Sequence, residues 1–545
     1  MKGVAATFLL AALLTPAAAG AAAPQRPNIV VLMTDDQTLE SMRVMTGVRD
    51  SLAAEGTTFD RAFVSNALCC PSRATLFTGQ YSHNHGVLGN APPDGGYGRL
   101  DKREWLPVWL QRAGYRTVHV GKFLNQYGMA NPTEVPPGWS EWYASVDPST
   151  YGFYGYTLNE NGLLNTYGLD RNPIFHSSDY YAERAVSVVQ RMGETRTPFF
   201  LSVAFLAPHS GTPRDPDDPQ GLPTPSPAPR HVDRFAAEPL PGDPSFNEVD
   251  VSDKPSFIQS LPPIGAQRAA AIDESYRQRL ESLLAVDEGI VRIVEALRAE
   301  GELDETLILF TSDNGFFHGE HRVQNGKVLV YEPSIRVPLI MRGPGVPEGA
   351  RRRQLVTNAD LAPTILEAAR AVPGRTQDGR SLFRLLEDRG LEWGRDLLIE
   401  GAPGLNQPAF DALRTYRYVF VQHANGEREL YDLERDPYQL TSLHADPAYA
   451  GIQEELSLRL GLLSVCAGRG CRTRPPARLA VRRCRARVGG AGLESVTFRS
   501  ARRLRLDRAS PFGSPVGGRR LRARIHTNDG RVVTLDRRLP PTCGN

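Results

Sequence analysis

The sequence predicts an α/β protein: a large, mainly parallel sheet with helices on both faces, a smaller C-terminal antiparallel sheet, and a small all-β module at the end. Three observations carry this. Short, wholly apolar runs ended by polar residues recur in the first part of the chain, as strands buried on both faces do. Helical patterns lie between them, and that alternation belongs to a sheet covered on both sides. After about residue 395 the pattern shifts to hairpin-like runs with tight turns.

Taken in order, Met1-Lys2 and the apolar run Ala5 to Leu14, followed by Ala17-Ala18-Ala19 and Ala21-Ala22-Ala23, read as a cleaved leader over residues 1–23. No Cys lies near the cleavage region, and no segment reaches the roughly 20 apolar residues of a membrane span. The expectation is export without a membrane anchor, to a secreted, extracellular location.

Strands are expected at Ile29 to Met33, Thr117 to Val120, Phe199 to Leu206 and Leu307 to Phe310. The clearest helix runs from about Ala270 to Ala299, with Leu280, Leu283, Leu284, Ile290, Ile293, Val294 and Leu297 at helical spacing. The stretch from Pro208 to Pro263, rich in Pro, Asp and Ser, reads as a long loop ordered against the body. Tyr416 to Val421, Asn425-Gly426 and Glu429 to Tyr431 form a hairpin pattern, and a helix from about Tyr449 to Leu463 closes that subdomain. The expected units are a main domain over 24–394, an α+β subdomain over 395–465 and an arginine-rich, disulfide-closed β module over 466–545.

Composition divides along the same line. The net charge of +2 on 545 residues conceals a tail from Cys466 onward with 20 Arg, no Lys and four acids, hence +16, on a body at −14. Of six cysteines, Cys466, Cys471, Cys484 and Cys543 lie in the tail and suggest two disulfides, with Cys466–Cys471 and Cys484–Cys543 one possible pairing. Such a tail suits contact with an anionic polymer, although a solvated arginine-rich sheet face has the same composition. No specific nucleic-acid partner is expected.

The polar residues that follow the strands point to a site. Ligands of parallel α/β sheets bind beyond the carboxyl ends of the strands. Asp35-Asp36, Lys122, His209 and Asp313-Asn314 each follow one of the four strands. A single such residue is an ordinary turn or cap; four sets on one edge argue for chemistry. Three carboxylates and an amide carbonyl are hard ligands that suit calcium or magnesium better than zinc, and a single calcium is preferred. His83, His85, His318 and His321 lack structural-zinc partners.

The strongest local signal is Cys69-Cys70-Pro71-Ser72-Arg73, continuing to Thr78-Gly79. Pro71 suits the first position of a helix, which sets Cys69 just outside an N-terminus that favours negative charge. Read alone, the pair could equally be buried structural cysteines.

The run C-x-P-S-R-x-x-x-x-T-G resembles the signature of the sulfatase family, of the alkaline-phosphatase-like superfamily, in which a dedicated formylglycine-generating enzyme oxidises the first Cys to formylglycine. Asp35-Asp36 and Asp313-Asn314 resemble the family's calcium ligands, Gly121-Lys122 its Gly-Lys motif, Ala207-Pro208-His209 its Pro-His motif, and Lys327 its second active-site lysine. The resemblance spans about Pro27 to Leu463. It is closest to the N-acetylglucosamine-6-sulfatase and heparan endosulfatase branch, through Cys69-Cys70, His83-Asn84-His85, Pro227 to His231 and Gly121 to Asn125. Where many members carry a His shortly after that lysine, this chain has Asn125.

The resemblance implies one calcium held by Asp35, Asp36, Asp313, Asn314 and residue 69. It also implies a hydrated formylglycine as nucleophile, charge stabilisation by Arg73, Lys122 and Lys327, and protonation of the leaving oxygen by His209 or Lys327. Asn125 is expected to line the pocket of a sulfated carbohydrate, and His83 and His85 could either line it or equally cap their loop. A phosphate or phosphonate monoester hydrolase, or a non-catalytic polysaccharide-binding protein with unmodified Cys69, are the alternatives. Trp105, Trp109, Trp139 and Trp142 could offer a stacking face, but core packing is the better reading for at least two of them.

Overall fold

The computed structural model describes residues 26–472 except 196, 217, 392, 405 and 406, then 478–482, 485–489, 493–500, 503–507, 512–516, 520–527 and 532–539. The expected leader, Cys484 and Cys543 lie outside the described residues. Among the described residues no helix is long and apolar enough to cross a membrane.

Ten strands form the main sheet: β1 (Asn28–Thr34), β2 (Thr57–Phe59), β3 (Arg116–Gly121), β4 (Glu141–Ser145), β5 (Tyr156–Glu160), β6 (Leu163–Tyr167), β7 (Phe199–Ala204), β8 (Thr306–Ser312), β9 (Leu339–Arg342) and β10 (Ala350–Arg352). Their spatial order is β10-β2-β9-β8-β1-β7-β3-β4-β5-β6. The central run from β8 to β4 is parallel throughout. All four strands expected from the apolar runs fall in it. β1 explains why such runs are apolar without alternation: Ile29, Val31 and Met33 enter one core and Val30 and Leu32 the other.

The second of these cores is closed by α2 (Ser177–Thr195) and α3 (Ala266–Ala299), whose Tyr181, Ala185, Val188, Leu280, Leu283 and Ile290 are buried against the sheet. The first is closed by α1 (Cys69–Thr78) and the four tryptophans, all buried. None of the four serves as a stacking face, so the whole group packs as core.

A separate antiparallel sheet is built from Leu397–Gly401, Phe410–Arg414, Tyr418–His423 and Arg428–Asp432, with the last two joined through Gly426 at φ 93°. Helix α4 (Ala450–Leu463) has two apolar faces. Leu456, Leu460 and Leu463 pack on this sheet, while Leu458 and Leu462 pack on Ala486, Val488, Phe498 and Leu521 of the tail strands.

The Cys466–Cys471 bridge forms, but it belongs to the body. Both cysteines are buried with Tyr81, Leu398 and Leu463, and Gly468 N donates to Asp378 Oδ1 at 2.6 Å. The tail strands begin at Arg478, beyond this loop.

His83 fastens the loop to the segment after α1. Its Nδ1 meets Glu400 Oε1 at 2.9 Å and its Nε2 meets the Cys466 carbonyl at 2.7 Å. Two acceptors require two donors, hence an imidazolium. Burial opposes that charge, but the hydrogen bond and charge of Glu400 win and push His83 up to about 9. A group raised in the folded state stabilises most below its ordinary value near 6.5 and loses that contribution as pH rises through about 9. The contribution is on the order of 2 kcal/mol. His83→Gln should therefore lower thermal stability at neutral pH, and its deficit against the wild type should shrink as pH approaches about 10. A deficit that stays constant over that range contradicts the charged pair. A chain ending at Arg472 should keep this lock and its turnover of a small ester, whereas one ending at Leu463 should lose thermal stability, both read by melting curves and steady-state rates.

Candidate active site

The carboxyl ends of β1, β3, β7 and β8 deliver their polar residues to one point, and α1 delivers Cys69 to the same point. Helix α1 begins at Cys69 itself, so Pro71 occupies its third position rather than its first. The displacement costs nothing, because the first four N–H groups of a helix lack intrahelical acceptors.

Each signature residue has a mechanical reason. Ser72 Oγ and its carbonyl accept from Asn358 Nδ2 at 3.0 and 3.2 Å, which fixes the helix start. Arg73 donates to Asp313 Oδ2 at 2.8 Å, to Asp35 Oδ2 at 3.3 Å and to the Lys122 carbonyl at 2.8 Å. Thr78 bonds back to the Ala74 carbonyl, and Gly79 ends the helix at φ 66°, where a Cβ would meet Gln377 at 2.0 Å.

Gly121 plays a similar part before Lys122. Its φ is 98° and a Cβ there would lie 2.1 Å from the Ala204 carbonyl, so only glycine lets Lys122 turn into the site.

Around Cys69 Sγ stand Lys327 Nζ at 2.8 Å, Asp35 Oδ1 at 3.5 Å and Lys122 Nζ at 3.7 Å. Lys122 also pairs with Asp35, and Lys327 with Asp36. His209 Nε2 faces Asp36 Oδ2 at 3.6 Å. Donor atoms of Asp35, Asp36, Cys69 and His209 all lie within 4.8 Å of one another. Asp36 N donates to Asp313 Oδ1 at 3.1 Å, and Asn314 Nδ2 to Asp36 Oδ1 at 2.5 Å.

Three carboxylates therefore face three cations inside the protein. Burial alone would raise Asp35, but Lys122, His209, Arg73 and Lys327 hold it well below the ordinary carboxylate range. Burial, then the Asp35 charge, raises Asp313. The lysines stay charged against the cost of burial because Asp35 and Asp36 lift them. Burial takes His209 down to about 4 against the pull of Asp36, leaving it neutral near pH 7. Cys69 is pushed up to about 12 by burial and by Asp35. A cysteine raised in this way is a protonated thiol, the opposite of an activated thiolate.

The residue set fits a hard cation. All candidate ligands of the carboxylate group are oxygens, and the buried Asn314 Oδ1 has no hydrogen-bond partner, a free acceptor where a metal ligand is expected.

Of the residues singled out from sequence, Asp35, Asp36, Cys69, Arg73, Lys122, His209, Asp313, Asn314 and Lys327 converge. Arg73 is 1% exposed with its donors on the carboxylates and carbonyls, so it holds those groups in place. His83 and His85 stand apart as a correction. The first is committed to Glu400 and Cys466, and the second is buried between Thr75 Oγ1 and the Val87 N–H. Asn125 is also buried, and among the described residues its side chain bonds to Tyr151.

Two site residues escaped the sequence reading. Arg279 of α3 donates to the Asp36 carbonyl at 2.5 Å and braces a residue held at φ 66°. Its signal was a charge on the stripe shared by Tyr276, Leu283 and Ile290. Tyr151 lies under Lys122 and beside His209 with no local pattern to announce it.

Comparison with known proteins places this geometry. Residues 27–371 match the family model described as Sulfatase, and residues 319–465 match that described as N-sulphoglucosamine sulphohydrolase, C-terminal. An arylsulfatase of Volvox carteri is 35% identical over 83% of this chain and 76% of its own. The human N-acetylglucosamine-6-sulfatase is 32% identical over 83% of this chain and 87% of its own. A solved protein in complex with its substrate D-glucosamine-2-N,6-O-disulfate superposes with TM-score 0.67 at 26% identity, covering 79% of this chain and 96% of that one. With the signature helix, the strand-end residues and the matched length in agreement, the chain belongs to the sulfatase family and is a sulfuric ester hydrolase.

Proposed function

We propose that the protein is a secreted sulfatase acting on a sulfated sugar of the N-acetylglucosamine 6-sulfate kind, with residue 69 converted from Cys to formylglycine. The observation that carries it is Cys69, buried between two lysines and a carboxylate cluster with its thiol held protonated. Its Sγ marks where an oxygen of the modified side chain would lie. The sugar rests on the human and Bacteroides thetaiotaomicron relatives, which are named as N-acetylglucosamine-6-sulfatase and N-acetylglucosamine-6-O-sulfatase.

A hydrated formylglycine at 69 would supply one hydroxyl to attack sulfur and a second to expel sulfate, dividing the hydrolysis into two easier steps. Asp35, Asp36, Asp313, Asn314 and residue 69 would hold one calcium, which as a Lewis acid would polarise the sulfuryl oxygens. Lys122 and Lys327 place fixed positive charge beside the same oxygens. Arg73 orients Asp35 and Asp313 and helps hold Asp35 ionised. His209 and Lys327 are the polar groups of the cluster with the most open side chains, at 17% and 11% exposure, and stand where a leaving oxygen needs its proton. Lys327 carries that proton near neutral pH, and His209 does so only in acid.

Cys69→Ala should abolish turnover, and mass spectrometry of the wild-type peptide should show formylglycine at 69 and an intact thiol at 70. Cys70 sits in the apolar core, so Cys70→Ser should lower thermal stability by about 1–3 kcal/mol yet keep turnover. Modification at 70 instead of 69 overturns the assignment. Lys327→Ala should cut kcat about 100- to 1000-fold.

Elemental analysis should find one calcium per chain. Chelation should lower both the melting temperature and turnover, with calcium restoring both. Two zinc ions per chain would point to the phosphatase alternative.

A further inference from the structure

We propose that Tyr151 is a specificity residue whose phenolic hydroxyl, held by Asn125, donates a hydrogen bond to a neutral oxygen of the sugar that bears the sulfate. The inference rests on the sugar-sulfatase reading above and adds a recognition element to it.

Tyr151 ends the short 3-10 turn Ser149–Tyr151 between β4 and β5. Its ring centre lies 4.4 Å from Lys122 Nζ and 4.8 Å from the His209 ring. It is only partly buried, whereas Lys122 and Cys69 beside it are covered. The phenol therefore borders both Lys122, on the sulfuryl side, and His209, one of the two groups placed to protonate the leaving oxygen, at the junction of sulfate and sugar.

The hydrogen bonding leaves one valence open. Asn125 Nδ2 donates to the Tyr151 oxygen at 2.5 Å, which uses the phenol as acceptor. The O–H proton has no recorded acceptor among the described residues. A phenol raised to about 12, chiefly by burial, keeps that proton and stays a donor at any working pH. The acceptor that completes it is supplied by the ligand, and beside a sugar leaving group that acceptor is a ring substituent oxygen. Asn125 is 8% exposed and works through Tyr151, as a positioning residue.

The backbone makes the placement rigid. Thr212 N donates to the Tyr151 carbonyl at 2.8 Å, and Phe153 N to the Thr212 carbonyl at 2.6 Å. Gly211 permits this approach, since a Cβ there would lie 2.5 Å from the Tyr151 carbonyl. The segment after His209 and the turn bearing Tyr151 are thereby one unit, so His209 and Tyr151 move together.

The test compares two esters, N-acetylglucosamine 6-sulfate and 4-nitrophenyl sulfate, the second of which has no sugar oxygen to accept the bond. Tyr151→Phe keeps the ring under Lys122 and removes only the hydroxyl. It should lose about tenfold more kcat/KM on the sugar ester than on the aryl ester, with most of the loss in KM. Asn125→Ala should shift the same ratio in the same direction, and adding it to Tyr151→Phe should bring no further shift if Asn125 acts through the hydroxyl. Melting curves identify variants that fold. Equal losses on both esters, or additive losses in the double variant, overturn the role of Tyr151 while leaving the sulfatase reading intact. A wild type that turns over the aryl ester but no sugar sulfate overturns the sugar reading and this inference with it.

Discussion

Three carboxylates buried at one point are the constraint on which the site depends. Asp35, Asp36 and Asp313 are each 1% exposed or less. Ionised acids at that depth are tolerable only when each is met by fixed positive charge and hydrogen bonds. Arg73 answers two of them from α1, Lys122 answers one from the end of β3, and Lys327 one from the loop before β9. The signature helix is thus locked to the sheet by electrostatics as much as by packing. A substitution that removes one member leaves an opposite charge stranded, so these residues cannot be read as binding groups alone.

The same balance lets a strongly charged centre lie buried without a large net charge of its own. The cations face inward onto carboxylates, and only Lys327 and His209 retain some exposure. An anionic ester arriving at this site meets lysines already held in place, with little reorganisation left to perform.

Much of this was legible in the sequence because it is local. An apolar run followed by Asp-Asp, by Lys, by His or by Asp-Asn is a strand with polar residues beyond its carboxyl end, and all four runs enter the parallel centre of the sheet. What was not legible is long-range. His83 resembles a pocket residue by position, yet its partners are Glu400 and Cys466, more than 300 residues away. The Cys466–Cys471 bridge looked like part of the tail because the arginines begin there, but its burial beside Tyr81 assigns it to the body. Tyr151 occupies an irregular turn, and irregular turns carry no periodicity from which an orientation can be deduced. Arg279 is the exception, a charge on an apolar helical stripe whose partner, the Asp36 carbonyl, lies at the site.

The depth of residue 69 has a consequence in time rather than in space. Its side chain is 1% exposed, beneath a helix whose next residue, Cys70, is part of the hydrophobic core. Any catalyst that alters this side chain has to meet it while the chain is still open, before α1 docks against the sheet. If residue 69 is converted as proposed, its modification and folding therefore compete, and the winner is recorded permanently. On the proposed chemistry, a molecule that folds first keeps its thiol, and the active fraction of the population is the outcome of that race.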